Sequence, residues 1–293
     1  MVEGKVAVVI PTRNRKKELI RCVNSVLLQD YSNFEVAVVD DNSEDKVAID
    51  WFSVGAIRII RNDVHSNAAA SRNKAIRVSN AEIIILLDDD CWVEDQNWIS
   101  KHVGMIKDFP KSLVGGRIIN ISRTIFGRIR AMMGDNCMQF NFLQSMNLSF
   151  RKTIFEEIGG FNERFNELED LDFSQRAIRK KIVLKYDEKI ICYHKSIDGF
   201  FGILRRQHRY GLWAIPVRKF QKYDWYQILP DNLFSSILLC LPLSLGIAFL
   251  QIINNMTYHP LIIFYAPMVW IYNLAYAFGI ISFFWRKSLF KYL

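Results

Sequence analysis

Ile83-Ile84-Ile85-Leu86-Leu87-Asp88-Asp89-Asp90 is the stretch that decides the reading of this chain. Apolar residues run unbroken and then stop at three consecutive carboxylates. A continuous apolar run of this length fits a strand buried on both faces, as in a parallel sheet. Open α/β sheets bind ligands in the crevice beyond the carboxyl ends of their strands, so this strand brings negative charge to that crevice. Crowded, unpaired carboxylates raise each other's pKa. A divalent cation relieves the conflict. Mg2+ or Mn2+ takes oxygen ligands and is held by one or two carboxylates together with substrate phosphates. The stretch therefore points to a metal–diphosphate site. The plainer alternative is an acidic turn after a strand, since Asp is a common turn residue.

The segments around it share the same grammar. Val6 to Ile10 reads as a buried first strand, followed by a loop at Pro11-Thr12-Arg13-Asn14-Arg15, where Pro ends the ladder. Leu19, Ile20, Val23, Val26 and Leu27 recur at helical spacing over residues 16 to 29. Phe34 to Val39 is a second buried strand, ending at Asp40-Asp41-Asn42-Ser43, and Ile57 to Ile60 a short third. Ala68 to Val78 reads as a helix with Arg72, Asn73 and Lys74 near its start. Strands alternating with helices indicate βαβ units and a mostly parallel sheet flanked by helices. In such a sheet the acids at 40–41 and at 88–90 lie on one edge. That convergence marks a nucleotide site.

Val8-Val9-Ile10-Pro11-Thr12-Arg13-Asn14, Val39-Asp40-Asp41-Asn42-Ser43, Ala70-Ser71-Arg72-Asn73-Lys74-Ala75 and Leu87-Asp88-Asp89-Asp90 follow one another in the order and approximate spacing of glycosyltransferase family 2. The resemblance covers roughly the first two-thirds of the chain. It implies the GT-A fold, a nucleotide-binding α/β sheet. It also implies that Pro11, Thr12 and Arg13 line the nucleotide-sugar site. Asp41 would bond the base, Arg72 would contact the base or a phosphate, and Asp89 would sit near the ribose. Asp88 and Asp90 would form the D-x-D pair, with Asp90 as the direct metal ligand. Two positions depart from the pattern. Arg13 stands where many members carry an aromatic residue, and the segment before Arg72 lacks a frequent glycine. Both bear on which base is bound. Read without the resemblance, Arg72 is equally a solvated helix residue.

Farther along, Val114 to Ile119 looks like a strand. Residues 123 to 145 mix arginines with apolar residues, as an ordinary amphipathic helix, a flexible acceptor loop or a membrane-facing segment. Ser145 to Phe150 resembles the family's strand facing the donor sugar, and Gly159-Gly160-Phe161-Asn162-Glu163 its G-G-F-(D/N)-E turn. Acids then gather at Glu167, Glu169, Asp170 and Asp172, ahead of a helical pattern. Carboxylates in a first helical turn complement the helix dipole. Transfer with inversion also needs a carboxylate, to take the proton of the attacking hydroxyl. By resemblance to the family's E-D motif, Asp170 is that base, and Glu169 orients it or the acceptor. Ile190 to His194 reads as an edge strand ending in a histidine. Relatives place a histidine there that completes the metal's shell, although a lone histidine is also commonly structural.

The 293 residues carry a net charge of +8, with a sequence pI of about 9.2. This balance favours acidic partners such as phosphates or a membrane surface. Nucleic acid is not expected, because no groove-reading motif is present. Five cysteines without a C-x-x-C pair suggest a reducing compartment rather than a disulfide framework. The N-terminal apolar run is too short for a signal peptide.

Residues 197 to 222 interleave aromatics with Arg205, Arg206, Arg209, Arg218, Lys219 and Lys222, which suits an interfacial helix on anionic lipid. Gln207 to Gly211 only partly resembles the Q-x-x-R-W motif of processive synthases, so processivity is not inferred. Leu233 to Ile253 and Pro260 to Trp285 carry no charge. At 1.5 Å per residue the first spans about 30 Å, the thickness of a hydrocarbon core, and the second is longer. Basic residues precede the first run and follow the second at Arg286, Lys287 and Lys291, while the turn between them has none. The positive-inside rule then expects a multi-pass protein of the cell membrane, with its catalytic part cytoplasmic. The expected organisation is a nucleotide-sugar-binding half over 1–122, an acceptor-binding and catalytic half over 123–222, and a two-helix transmembrane hairpin over 223–293.

The expected activity is inverting transfer of a sugar from a nucleotide-diphosphate sugar to a hydroxyl of a lipid-linked glycan or glycolipid. A polyprenyl phosphate acceptor is the nearest alternative. It is already ionised near neutral pH and needs no base, so the E-D motif favours the hydroxyl. A sugar nucleotidyltransferase is a rival from another class, but the loop after the first strand lacks the glycines that such enzymes use. A non-catalytic nucleotide-sugar-binding membrane protein is the other rival, and the full set of acids speaks against it.

Overall fold

β1 (Val6–Thr12) is the hub of the sheet in the computed structural model, which describes residues 4–52, 56–133, 142–197, 199–221, 232–256 and 259–285. It pairs in parallel with β2 (Phe34–Asp40) on one side and with β4 (Ile83–Leu87) on the other, and β2 pairs in parallel with β3 (Ile57–Arg61). The register sets Thr12 beside Asp40, so the polar ends of β1 and β2 reach the edge together. Side chains alternate across the strands. Val6, Val8 and Ile10 pack with α1 (Lys16–Leu27), through Leu19, Cys22, Val23 and Val26, and with α3 (Trp98–Asp108). Ala7 and Val9 pack on the other face with α2 (Ala68–Val78), α5 (Lys152–Ile158) and α6 (Glu169–Arg179). Each Val or Leu buried in these layers contributes about 1.5–3 kcal/mol.

The rest of the sheet runs differently from the expectation. β7 (Asn147–Arg151) is antiparallel to β4, and β6 (Ser112–Ile121) is antiparallel to β7. β8 (Val183–Lys195) pairs antiparallel with β5 (Cys91–Trp92). The order is β3-β2-β1-β4-β7-β6-β8-β5, so the sheet is mixed rather than mostly parallel. An apolar run shows that a strand is buried but not which way it points. The 190–194 segment is also not an edge strand, because the two-residue β5 lies outside it. That strand is hidden in the sequence just after the acids.

The described residues fall into two compact units. The first holds the sheet and comprises Met1–Ile119, Cys137–Glu163 and Glu169–Lys195. The second comprises Asn120–Asn136, Arg164–Leu168 and Ser196–Leu293. Within the second, α4 (Ile125–Met132) forms a helix over the first part of the 123–145 segment, of which residues 134–141 lie outside the described residues. α7 (Phe200–Gln221) packs on α9 (Ala266–Trp285) with backbone almost touching backbone. A Cβ at Gly211 would lie 1.9 Å from the Tyr276 carbonyl oxygen, and one at Gly279 would lie 2.0 Å from that of His208. His208 Nε2 also meets Ser282 Oγ at 2.9 Å.

Among the described residues one helix is long and apolar enough to cross a membrane, Pro260–Trp285, which opens with a 3-10 turn over Pro260–Tyr265. The other expected span lies in α8 (Leu233–Met256), whose apolar stretch Cys240–Met256 is shorter. Two crossings are therefore not established by the helices themselves. α8 nevertheless leaves Phe234, Ile237, Leu238, Leu241, Leu245, Phe249 and Leu250 exposed. The side chains of Arg218 and Lys219, and all of Lys222, Arg286, Lys287, Lys291 and the turn residues Thr257 and Tyr258, lie outside the described residues.

Candidate active site

The three carboxylates after β4 take three different sets of partners. Asp88 Oδ1 accepts from Arg72 Nη2 at 2.6 Å. Asp89 turns inward, accepting from Thr12 Oγ1 at 2.7 Å and from Arg15 Nη1 at 3.0 Å. Asp90 Oδ2 accepts from the same Arg15 nitrogen at 2.7 Å, and its Oδ1 lies 3.6 Å from His194 Nε2. The repulsion expected within the turn is thus answered by two arginines. Burial still pushes the Asp89 carboxyl up to about 7; Arg15 pulls it down, and Asp90 adds to the rise. His194 arrives through pairing of β8 with β5, which sets it opposite Cys91, one residue beyond Asp90.

Three consecutive residues of α2 each fasten a different segment. The helix starts cleanly because the Asn67 side chain caps it by accepting from Ala70 N. Arg72 is 2% exposed and spans two carboxylates, donating Nη2 to Asp88 and Nη1 to Glu169 Oε1 at 2.7 Å. Burial opposes its charge, but Asp88 and Glu169 outweigh burial and raise its pKa. The solvated-helix alternative for Arg72 is therefore overturned: neighbouring elements cover the helix face that carries it. Asn73 clasps the G-G-F turn, donating to Phe161 O and accepting from Phe161 N, both at 2.8 Å. Gly160 in that turn has φ 79° and sits against Asn73 Oδ1, where a side chain would be strained. Lys74 Nζ donates to Arg61 O at 2.7 Å and to Asn62 Oδ1 at 3.1 Å, which pins the loop after β3.

Asp41 lies at the end of β2 and is buried. Its Oδ1 accepts from Asn62 Nδ2, from Ser66 N and from Ser66 Oγ at 2.8–2.9 Å. Its Oδ2 meets His65 Nδ1 at 2.7 Å. Burial alone would raise its pKa, but the donors on Asn62, Ser66 and His65 outweigh burial and hold it below the usual carboxylate range. Asp40 is bound by Arg61 and by Ser43 N. Pro11 is half-buried in β1, and Arg13 is exposed on the loop that follows.

The E-D pair opens α6. Leu168, immediately before it, has φ 65°, a left-handed conformation that leucine rarely adopts. Asp170 accepts from Leu171 N at 2.8 Å and from Ser145 N at 3.4 Å. Burial, and then the charge of Glu169, push its carboxyl up to about 7, against the pull of Arg72. A partly exposed carboxyl poised near neutral pH is suited to general-base work. The chain of ion pairs Asp88–Arg72–Glu169 runs from the acid turn to the residue beside this base.

The donor set suits a divalent cation in part. Metal–ligand distances of about 2.1 Å place adjacent ligands roughly 3 Å apart, so Asp90 Oδ1 and His194 Nε2 stand near the spacing of two ligands on one ion. Among the described residues no group of three or more His, Cys, Asp or Glu side chains gathers into a metal site, and Asp88 is committed to Arg72. Two protein ligands completed by phosphate and water is the arrangement these cations usually accept.

Sequence reading missed Arg15, the clasping roles of Asn73 and Lys74, and the His65–Ser66 cover over Asp41. Only Asn73 and Lys74 left a signal, as neighbours of Arg72 in the same motif.

The sequence profile of glycosyl transferase family 2 matches residues 7–187, more than half of the chain. Glycosyltransferase AglE of Haloferax volcanii is 28% identical over 225 residues, 72% of this chain and 73% of that one. UDP-Glc:alpha-D-GlcNAc-diphosphoundecaprenol beta-1,3-glucosyltransferase WfgD of Escherichia coli is 25% identical over 146 residues, 45% of this chain and 58% of that one. Among solved structures, the mannosyltransferase PcManGT from Pyrobaculum calidifontis, in complex with GDP-Man and Mn2+, is similar with a TM-score of 0.64. That likeness covers 98% of this chain and 89% of the other at 18% identity, and it is a likeness of fold. The profile runs from the first strand past the E-D pair, across the segments that carry Asp41, Arg72, the Asp88–Asp90 turn and Asp170, and on that ground the chain belongs to glycosyl transferase family 2.

Proposed function

We propose that this glycosyltransferase moves a sugar, with inversion, from a nucleotide-diphosphate sugar to a hydroxyl of a lipid-linked glycan or glycolipid at the cytoplasmic face of the cell membrane. The observation that carries this reading is Asp170, a carboxyl pushed up to about 7 and joined through Glu169 and Arg72 to the acid turn. Asp170 takes the proton of the acceptor hydroxyl as its oxygen attacks the anomeric carbon. Glu169, held by Arg72, keeps that end of α6 in place. In this reading Asp41 would bond the base, Pro11, Thr12 and Arg13 would line the nucleotide-sugar site, and Asp89 would sit near the ribose. Asp90 and His194 would hold Mg2+ or Mn2+, with Asp88 at the turn's start. When bound, the cation neutralises charge on the diphosphate leaving group.

The exposed apolar face of α8 and the long apolar run to Trp285 support a two-span anchor. A sugar-diphosphoundecaprenol acceptor in the name of one relative supports a lipid-linked glycan. Family membership weighs against a nucleotidyltransferase or a non-catalytic binder. Asp170→Asn tests the reading. Sugar transfer should fall by about 10²–10⁴-fold, with donor binding unchanged. Near-normal transfer would remove the base and favour an acceptor that is already ionised, such as a polyprenyl phosphate.

A further inference from the structure

A guanidinium sits on the acid turn with no role in the proposed chemistry. Arg15 Nη1 donates to Asp89 Oδ1 at 3.0 Å and to Asp90 Oδ2 at 2.7 Å. The Arg15 side chain is 52% exposed, and an ion pair open to water stabilises a fold little. Stability is thus a weak reason for its place on two carboxylates of the site. Among the described residues only Nη1 is engaged, so Nε and Nη2 keep N–H groups to give. The loop beneath is fixed. Asn14, at φ 55°, donates its N to Ser43 Oγ at 3.0 Å and accepts on Oδ1 from Glu44 N at 2.9 Å. Arg15 stands just before the first turn of α1, whose free amides favour an anion. The two oxygens of Asp90 divide their neighbours: Oδ2 takes Arg15, while Oδ1 lies 3.6 Å from His194 Nε2.

We infer that Arg15 is the counter-charge of the acid turn: it opposes a divalent cation that arrives alone and offers its remaining N–H groups to the diphosphate of the nucleotide sugar. This inference rests on the nucleotide-sugar reading. A cation on Asp90 Oδ1 and His194 shares that carboxylate with the guanidinium on Oδ2. Two positive centres then stand a few ångströms apart. At such a separation unit charges shift an equilibrium about fivefold even in water, and a divalent ion raises that further. A diphosphate reverses the balance, because its oxygens accept from the guanidinium and offset its charge. Arg15 thus weakens the hold on the cation and strengthens the hold on the diphosphate. A purely structural ion pair has no such opposition of sign, and its loss would loosen both.

The test measures the two ligands apart, on the whole chain in detergent. Mn2+ alone is titrated by electron paramagnetic resonance, and inorganic pyrophosphate alone, with chelator present, by phosphorus NMR. Wild type, Arg15→Met and Arg15→Lys are compared. Arg15→Met should bind Mn2+ about tenfold more tightly and pyrophosphate about tenfold more weakly. Its melting temperature should fall in chelator and recover when Mn2+ is added. Arg15→Lys keeps the charge and should stay close to wild type for both ligands. Effects of the same sign on both ligands, or no change in either one, would overturn the inference while the donor site stands. Arg15→Lys behaving as Arg15→Met would also overturn it, since charge would not be the cause. If wild type binds just one of the two probes, the inference falls and the site for that probe stands. If it binds neither, the nucleotide-sugar reading falls as well.

Discussion

Replacing Arg72 by Met probes the link between the acid turn and the E-D pair. Arg72 is 2% exposed and donates to Asp88 and Glu169 at 2.6 and 2.7 Å. Its loss leaves two carboxylates facing an apolar side chain. Removing one partner of a buried ion pair costs about 3–5 kcal/mol, because the remaining charge stays uncompensated. Asp88 and Glu169 keep 25% and 13% side-chain exposure, so water offsets part of the cost and the low end, about 3 kcal/mol, applies. At about 2–4 °C per kcal/mol for a unit of this size, the melting temperature should fall by roughly 6–12 °C. Thermal unfolding of the detergent-solubilised protein, followed by circular dichroism, reads this directly. Glu169→Gln in the same background removes one orphan charge and should restore part of the loss. The two changes should therefore depart from additivity by about 0.5–3 kcal/mol. Arg72→Lys should also be destabilising, since a compact ammonium lacks the fork that spans both acids. A melting temperature of Arg72→Met within about 2 °C of wild type, or strictly additive effects, would refute the reasoning.

Asp170 ties activity and stability to pH with opposite signs. Its carboxyl stands at about 7 in the fold against an ordinary 3.8, so kcat/KM should rise about tenfold per pH unit up to pH ~7 and level off above. The fold favours the neutral form. The stability that Asp170 contributes is full below pH ~4 and is lost as pH rises through about 7, and Asp170→Asn should flatten that slope in thermal melts. In the second unit, Gly279→Val should lower melting temperature and yield, because its Cβ would lie 2.0 Å from the His208 carbonyl oxygen. Gly246→Ala, with nothing within 4 Å, should be tolerated, and equal effects of the two would argue against the close α7–α9 contact.

The parallel half of the sheet was legible because its signals are local. β4 and α2 keep the bounds that their residues suggested, since an apolar run meets Asp88 in one case and Asn67 caps a helix in the other. The antiparallel half was not legible. Direction in β6 and β7 comes from connections and partners, and β5 is too short to carry a pattern. The acids of the site were visible as residue types at strand ends. Their counter-charges were not, because Arg15 finds Asp89 from 74 positions away and Arg72 finds Glu169 from 97. A long cationic side chain reaches whatever tertiary packing brings near, and no short-range pattern records that choice.

The most direct test of sugar transfer is turnover of a panel of labelled UDP-, GDP- and dTDP-sugars by the whole chain in lipid vesicles that carry lipid-linked glycans. One donor should be consumed and its sugar recovered on lipid with inverted configuration, and both chelation of divalent cations and Asp90→Ala should stop the reaction. No consumption of any donor, together with no metal-dependent nucleotide binding, would contradict the assignment of the Asp88–Asp90 edge as a donor site.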